Sequence, residues 1–226
     1  MKKEYIDGEI EQTVGEEIAN SVTHGVGFLL AVAALVVGVV FAAIHRSAKV
    51  VTAVSIYGAA MCILYLSSTL YHALPAGSRG KRVFHVLDHS SIYLLIAGSY
   101  TPIMLGATRP AWGWSIFGVV WGLAALGILM KVFLTGRLKA FSTFTYLAMG
   151  WMIVIALKPL WEGIGPRGFA WLAAGGLCYS LGCVFYLARS FKFAHAIWHL
   201  FVLAGSVCHF FAILLHVILP NGQPAA

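Results

Sequence analysis

The sequence predicts an all-α, polytopic membrane protein: a bundle of seven transmembrane helices, with a cytoplasmic N-terminus and an external C-terminus. Three observations carry this. The 226 residues are 60% hydrophobic and only 10% charged, with a mean hydropathy of +0.87. A soluble domain has about 25% charged and about 45–50% apolar residues. So much apolar surface cannot be hidden inside a water-soluble domain of this size, which excludes a soluble enzyme, a disordered chain and a disulfide scaffold. Seven apolar stretches approach or exceed the roughly 20 residues that cross a bilayer core of about 30 Å. Finally, Lys and Arg divide unevenly between alternate connectors.

The spans fall at 23–44, 50–73, 84–107, 112–133, 141–157, 169–188 and 194–219. The fifth is the shortest. Pro75-Ala76-Gly77, Arg109-Pro110 and the stretch from Gly163 to Gly168 supply turns between them. Pro102 lies within the third span, where it removes a backbone donor and predicts a kink. The domain plan is an acidic cytoplasmic arm (1–20), a transmembrane domain (21–220) and a short external tail (221–226). The arm holds six of the eight acidic residues, Glu4, Asp7, Glu9, Glu11, Glu16 and Glu17. It has no basic region followed by a short apolar core, so no secretory signal is predicted. Cys62, Cys178, Cys183 and Cys208 sit in apolar stretches without a Cys-x-x-Cys and read as small buried hydrophobes.

Orientation follows from the basic residues. The N-terminus and the second, fourth and sixth connectors hold ten: Lys2, Lys3, Arg79, Lys81, Arg82, Lys131, Arg137, Lys139, Arg189 and Lys192. The other side holds five: Arg46, Lys49, Arg109, Lys158 and Arg167. The excess faces the cytoplasm. The net charge of +7 is therefore connector charge. No contiguous basic face with interleaved aromatics suggests nucleic acid; the expected partners are membrane lipids. Trp112, Trp114, Trp161 and Trp171 lie near external span ends and read as an aromatic belt.

Ionisable groups inside a bilayer are expensive and mark function. Asp88 is the only carboxylate well inside a span. His72 closes the second span, His85 and His89 flank Asp88, and His195 and His199 open the seventh. Glu17, Asn20 and His24 enter the first span. With the orientation above, four helices place these groups at one depth in the cytoplasmic leaflet. His195 and His199 are four apart, so one helix face carries both imidazoles. A third imidazole, from His72, completes a set that suits zinc and keeps a fourth position open. His85 and His89 form a second pair at the same spacing. His209 lies too far along the helix from His195 to share an ion, about 21 Å at 1.5 Å per residue. Glu17 and Asn20 fit either a helix cap or the site. A retinal protein is excluded by the lack of a lysine in the last span. A haem reading fares badly, because the second span offers only His72 as an axial ligand.

At these residues the sequence resembles the hemolysin III family, the bacterial branch of the progestin and adipoQ receptors, related in turn to alkaline ceramidases. The matching segments are Glu17-Ile-Ala-Asn20-Ser-Val-Thr23-His24, Ser68-Thr-Leu-Tyr71-His72, Phe84-His85-Val-Leu-Asp88-His89-Ser-Ser-Ile92, Ser99-Tyr100-Thr101-Pro102 and His195-Ala-Ile-Trp198-His199-Leu-Phe201. The resemblance implies a seven-helix protein of the bacterial inner (cell) membrane with an intracellular N-terminus. It implies zinc held by His72, His195 and His199, with Asp88 nearby through water and Ser68 one turn before the first ligand. Such a site predicts a zinc-dependent hydrolase of a lipid amide or ester, with Asp88 as general base and Ser68 orienting a ligand or binding the oxyanion. The alternative is a non-enzymatic membrane-homeostasis or cytolytic protein in which zinc is structural.

Overall fold

The computed structural model describes residues 5–6, 9–10, 12–134, 138–188 and 191–219. Lys2, Lys3, Glu4, Asp7, Glu11, Arg137, Arg189 and the 221–226 tail lie outside the described residues. A two-residue antiparallel ladder joins Tyr5–Ile6 to Glu9–Ile10. The rest is helical: α1 (Val14–His45), α2 (Ala48–Ala73), α3 (Arg79–Ala107), α4 (Pro110–Leu134), α5 (Lys139–Trp151), a 3₁₀ segment (Met152–Ala156), α6 (Leu157–Leu187), α7 (Ala194–Ile213) and a π turn (Leu214–Ile218).

Among the described residues, six helical stretches are long and apolar enough to cross a membrane, and the chain is a multi-pass membrane protein. The count differs from seven because the expected fifth and sixth spans run on as one 49-residue stretch, Lys139–Leu187. Within Leu157–Leu187, Gly165 leaves helical geometry, at φ +67° and ψ 179°. A side chain would be strained at that φ, and Pro166 restarts the helix with a preset φ. The two halves fold back on each other. Lys139 Nζ stands 4.0 Å over the Tyr186 ring, and Trp151 Nε1 donates to Ser180 Oγ at 2.9 Å. The 3₁₀ segment drops α-helical bonds, and the Tyr100 hydroxyl takes them up. It reaches the Met149 and Gly150 carbonyls at 2.9 and 2.7 Å and accepts the Ile153 amide at 2.8 Å.

The outer surface is apolar. Leu29, Leu126, Phe133 and Val184 are each more than half exposed. Water would penalise this, but acyl chains are as apolar as the side chains. Trp112, Trp114, Trp161 and Trp171 also lie on the outside, as the belt requires. Inside, small residues bring backbones together. A Cβ on Gly98 in α3 would come within 2.8 Å of the Ala60 Cβ in α2. Lys131, counted above as a connector charge, is instead buried within α4, 6.0 Å from the Tyr146 ring centre. The four cysteines are free and half-buried.

α1 begins earlier than the first expected span. Thr13 and Glu16 form a capping box that starts the helix at Val14. The same Glu16 accepts the Phe193 amide at 3.1 Å, the residue before α7. At the opposite ends Arg46 donates to the Ile218 and Leu219 carbonyls at 2.9 and 3.1 Å. Start meets start and end meets end, so α1 and α7 run parallel. The end of α2 returns to the start of α1, where Ser21 Oγ donates to the Thr69 carbonyl at 3.2 Å.

Candidate metal centre

Three helix ends converge here: the start of α1, the end of α2 and the start of α7. His72 comes from α2; His195 and His199 come from the first two turns of α7. One donor nitrogen from each lies within 4.8 Å of the other two, a group that can hold a metal ion. The ring centroids are 4.6 to 5.2 Å apart. His72 and His199 are buried, at 4% and 0% exposure.

The neighbours of the outer ring nitrogens set the tautomers. His72 Nδ1 lies 2.6 Å from Glu17 Oε2. A carboxylate accepts, so Nδ1 carries the proton. His199 Nδ1 lies 3.2 Å from the Asn20 carbonyl, which also only accepts, and 3.2 Å from Thr23 Oγ1. The Thr23 hydroxyl donates to the Ala19 and Asn20 carbonyls at 2.8 and 2.9 Å, leaving its oxygen to accept. In both rings Nε2 is then left with a lone pair, the form that binds a metal. Among the described residues neither Nε2 has a hydrogen-bond partner. A buried unsatisfied nitrogen costs about 1–3 kcal/mol. Two of them, gathered with a third imidazole, fit a divalent cation bound by neutral nitrogens, as zinc is.

Glu17 is held in turn. Lys81 Nζ donates to Glu17 Oε1 at 2.8 Å, to the Tyr71 carbonyl at 3.0 Å and to the Leu74 carbonyl at 3.2 Å, and stands 4.8 Å over the Tyr71 ring. This ion pair is one-quarter exposed at the carboxylate. Asn20 donates to Gln12 Oε1. Glu17 and Asn20 therefore do not cap α1, a role taken by Thr13; they support imidazoles. Spacing carried a hint: Glu17, Asn20 and His24 sit at i, i+3 and i+7, a polar stripe on an otherwise apolar helix.

The other expected residues fall nearby. Ser68 is fully buried one turn before His72, and its hydroxyl has no partner among the described residues. Asp88 stands outside the three-histidine group. It is 3% exposed, 3.7 Å from His89 Nδ1, and lines an apolar cavity together with His24, Trp198, Ile92, Leu95 and Leu172. His85 and His89 are buried but do not join the group; His85 stacks on Tyr71 at 5.0 Å. His209 lines the far wall of the cavity, edge-on to Tyr179 at 5.3 Å. A second, more polar cavity opens at the helix ends, where Gln12, Glu17, Ser21, His72, Lys81 and Arg82 line it beside apolar residues such as Val14, Ile18 and Leu74. Of the three imidazoles His72 lines this second cavity, and His199 stacks on His24, which lines the apolar one.

His24 was left without a role by spacing alone. Its ring lies flat against His199, with centroids 3.4 Å apart and planes 9° off parallel. Tyr65 meets its other side edge-on at 5.0 Å.

Comparison with known proteins agrees with the motifs. The haemolysin-III-related family model matches residues 12–210. The chain is 46% identical to Hemolysin-3 of Bacillus cereus over 207 residues, covering 92% of this chain and 94% of that one. It is 45% identical to the Hemolysin-3 homolog of Bacillus subtilis (strain 168), covering 91% and 96%. The human Monocyte to macrophage differentiation factor is 34% identical, covering 92% and 87%. No solved structure matches the chain. A family match spanning the first helix to the seventh, and taking in the three imidazoles, Ser68 and Asp88, places this chain in the haemolysin-III-related family.

Proposed function

We propose that this protein is a zinc-dependent hydrolase of a lipid amide or ester, working from the cytoplasmic leaflet of the bacterial inner (cell) membrane. The observation that carries it is the pair of buried, unpartnered Nε2 atoms on His72 and His199 beside His195. Three protein ligands leave a fourth position, the mark of catalytic rather than structural zinc. Zinc bound there supplies a Lewis acid that lowers the pKa of water to about 7 and polarises a carbonyl.

The chain's own groups do the rest. The apolar cavity takes the acyl chain and keeps bulk water from it, while the more polar cavity admits the water that is consumed. Asp88, on the cavity wall, accepts the proton of the attacking water and passes it to the departing nitrogen or oxygen as the acyl bond breaks. The Ser68 hydroxyl donates to the developing oxyanion or orients a ligand. Glu17, through Nδ1 of His72, holds that ring in its binding tautomer.

The membrane topology belongs to this reading. Parallel α1 and α7 need an even number of reversals between them. Lys139–Leu187 folds back at Gly165, so counting it as two crossings gives seven in all with the termini on opposite sides, and the excess of Lys and Arg favours the N-terminus inside. A single crossing there would set α7 antiparallel to α1.

A second reading rests on the names of the Bacillus relatives. In it zinc clamps α2 to α7 in a non-enzymatic protein that perturbs or adjusts membranes. Purified protein tested for metal and for fatty acid release from a lipid panel separates the two. The hydrolase reading expects one zinc per chain and release abolished by Asp88→Ala. One zinc per chain with no release across the panel supports the structural role; no zinc at all overturns both.

A further inference from the structure

His24 is 1% exposed, and neither ring nitrogen has a hydrogen-bond partner among the described residues. A neutral imidazole always carries one donor and one acceptor. Burying both unmet is unfavourable, and nothing in packing requires it: a phenyl ring would stack on His199 and meet Tyr65 as well. The position of the ring supplies a reason. It lies flat on His199 and lines the apolar cavity on the same wall system as Asp88. It stands outside the three-histidine group, so its nitrogens are not part of that ligand set.

We infer that His24 is a substrate-binding residue: its free N–H and lone pair hydrogen-bond the polar head of a long-chain lipid whose tail lies in the apolar cavity. This rests on the hydrolase reading for the identity of the lipid as substrate, but not for the binding itself. The cavity walls are mostly apolar, Ile92, Leu95 and Leu172 among them. Of the polar groups that line it, His24 is the one stacked on His199, which sets it as an anchor beside the metal ligands. The head group is thereby placed where the chemistry occurs, and the chain is directed away from it.

The test uses the full chain in detergent or nanodiscs, with a long-chain fatty acid amide carrying a dansyl group at its chain end as probe. His24→Phe keeps the stack and removes both nitrogens; His24→Gln restores a donor and an acceptor. The expected result is one zinc per chain in all three proteins, probe binding weakened about tenfold in His24→Phe, and partial recovery in His24→Gln. Unchanged binding in His24→Phe overturns the inference, as does a wild type that does not bind the probe. Loss of zinc from both variants also overturns it, because His24 would then belong to the metal centre. A wild type without zinc whose probe binding still falls in His24→Phe upholds the inference while the hydrolase reading fails.

Discussion

The junction of α1, α2 and α7 and the chamber between α3, α5 and α6 are built on opposite principles. At the junction the outer ring nitrogens of His72 and His199 have named partners, while their Nε2 atoms are left open. Glu17 holds His72, Lys81 holds Glu17, and Thr23 with the Asn20 carbonyl holds His199. In the chamber the walls are mostly apolar, and the surrounding helix is interrupted by a 3₁₀ segment and by Gly165. A metal ion tolerates ligand errors of only about 0.5 Å, so its donors are locked by directional bonds. An acyl chain asks only for room, since apolar attraction has no direction. At the junction directional bonds orient the metal-binding rings; around the chamber, as at Tyr100 and Trp151, they brace the walls and leave the space itself mostly apolar.

The largest expected effect comes from removing a ligand of the proposed zinc site. His72→Ala or His195→Ala takes bound zinc from one per chain to none by metal analysis, while far-ultraviolet helicity persists. Next, Asp88→Ala retains zinc but lowers lipid hydrolysis by roughly 10²–10⁴-fold, the usual contribution of a general base. Third, Glu17→Ala leaves Nδ1 of His72 without its acceptor and weakens zinc affinity roughly ten- to hundredfold in a chelator competition. Glu17→Gln, which still offers an accepting oxygen, loses less. On the other side of the comparison, Leu172→Trp fills the chamber. It leaves zinc stoichiometry untouched and shortens the longest acyl chain accepted. The smallest effect belongs to neither region: Trp112→Ala on the lipid-facing belt shifts thermal stability by about 0.5 kcal/mol or less. Loss of zinc in Leu172→Trp would show that the two regions are not independent.

Much of the site was legible before any coordinates. His195 and His199 share a helix face by spacing, and charge counting put His72 at the same depth. Both expectations rest on local rules, the helix period and the bilayer's intolerance of charge, and the structure brings these three residues together. Glu17 was visible as an odd acid at a helix start, but its partner was not. His72 lies 55 residues away, and no local rule pairs two such positions. The early start of α1 was missed because a hydropathy window reads membrane thickness, whereas the capping box at Thr13 and Glu16 sets the helix end. Lys131 looked like a connector charge for a similar reason: hydropathy marks a lysine as outside, whereas packing near Tyr146 buries it.

By itself the sequence determined that the chain lives in a membrane and roughly where most of its helices lie, though α1 and α6 start well before the expected spans. Those properties are sums over neighbouring residues, and a bilayer reads them directly. Only the tertiary structure decided that Glu17 meets His72, that Tyr100 braces the 3₁₀ segment, and that His24 stacks on His199. These depend on which helix faces meet across hundreds of ångströms of chain, and helix–helix contact in lipid is settled by fit between small residues and rings, which no single stretch of sequence encodes.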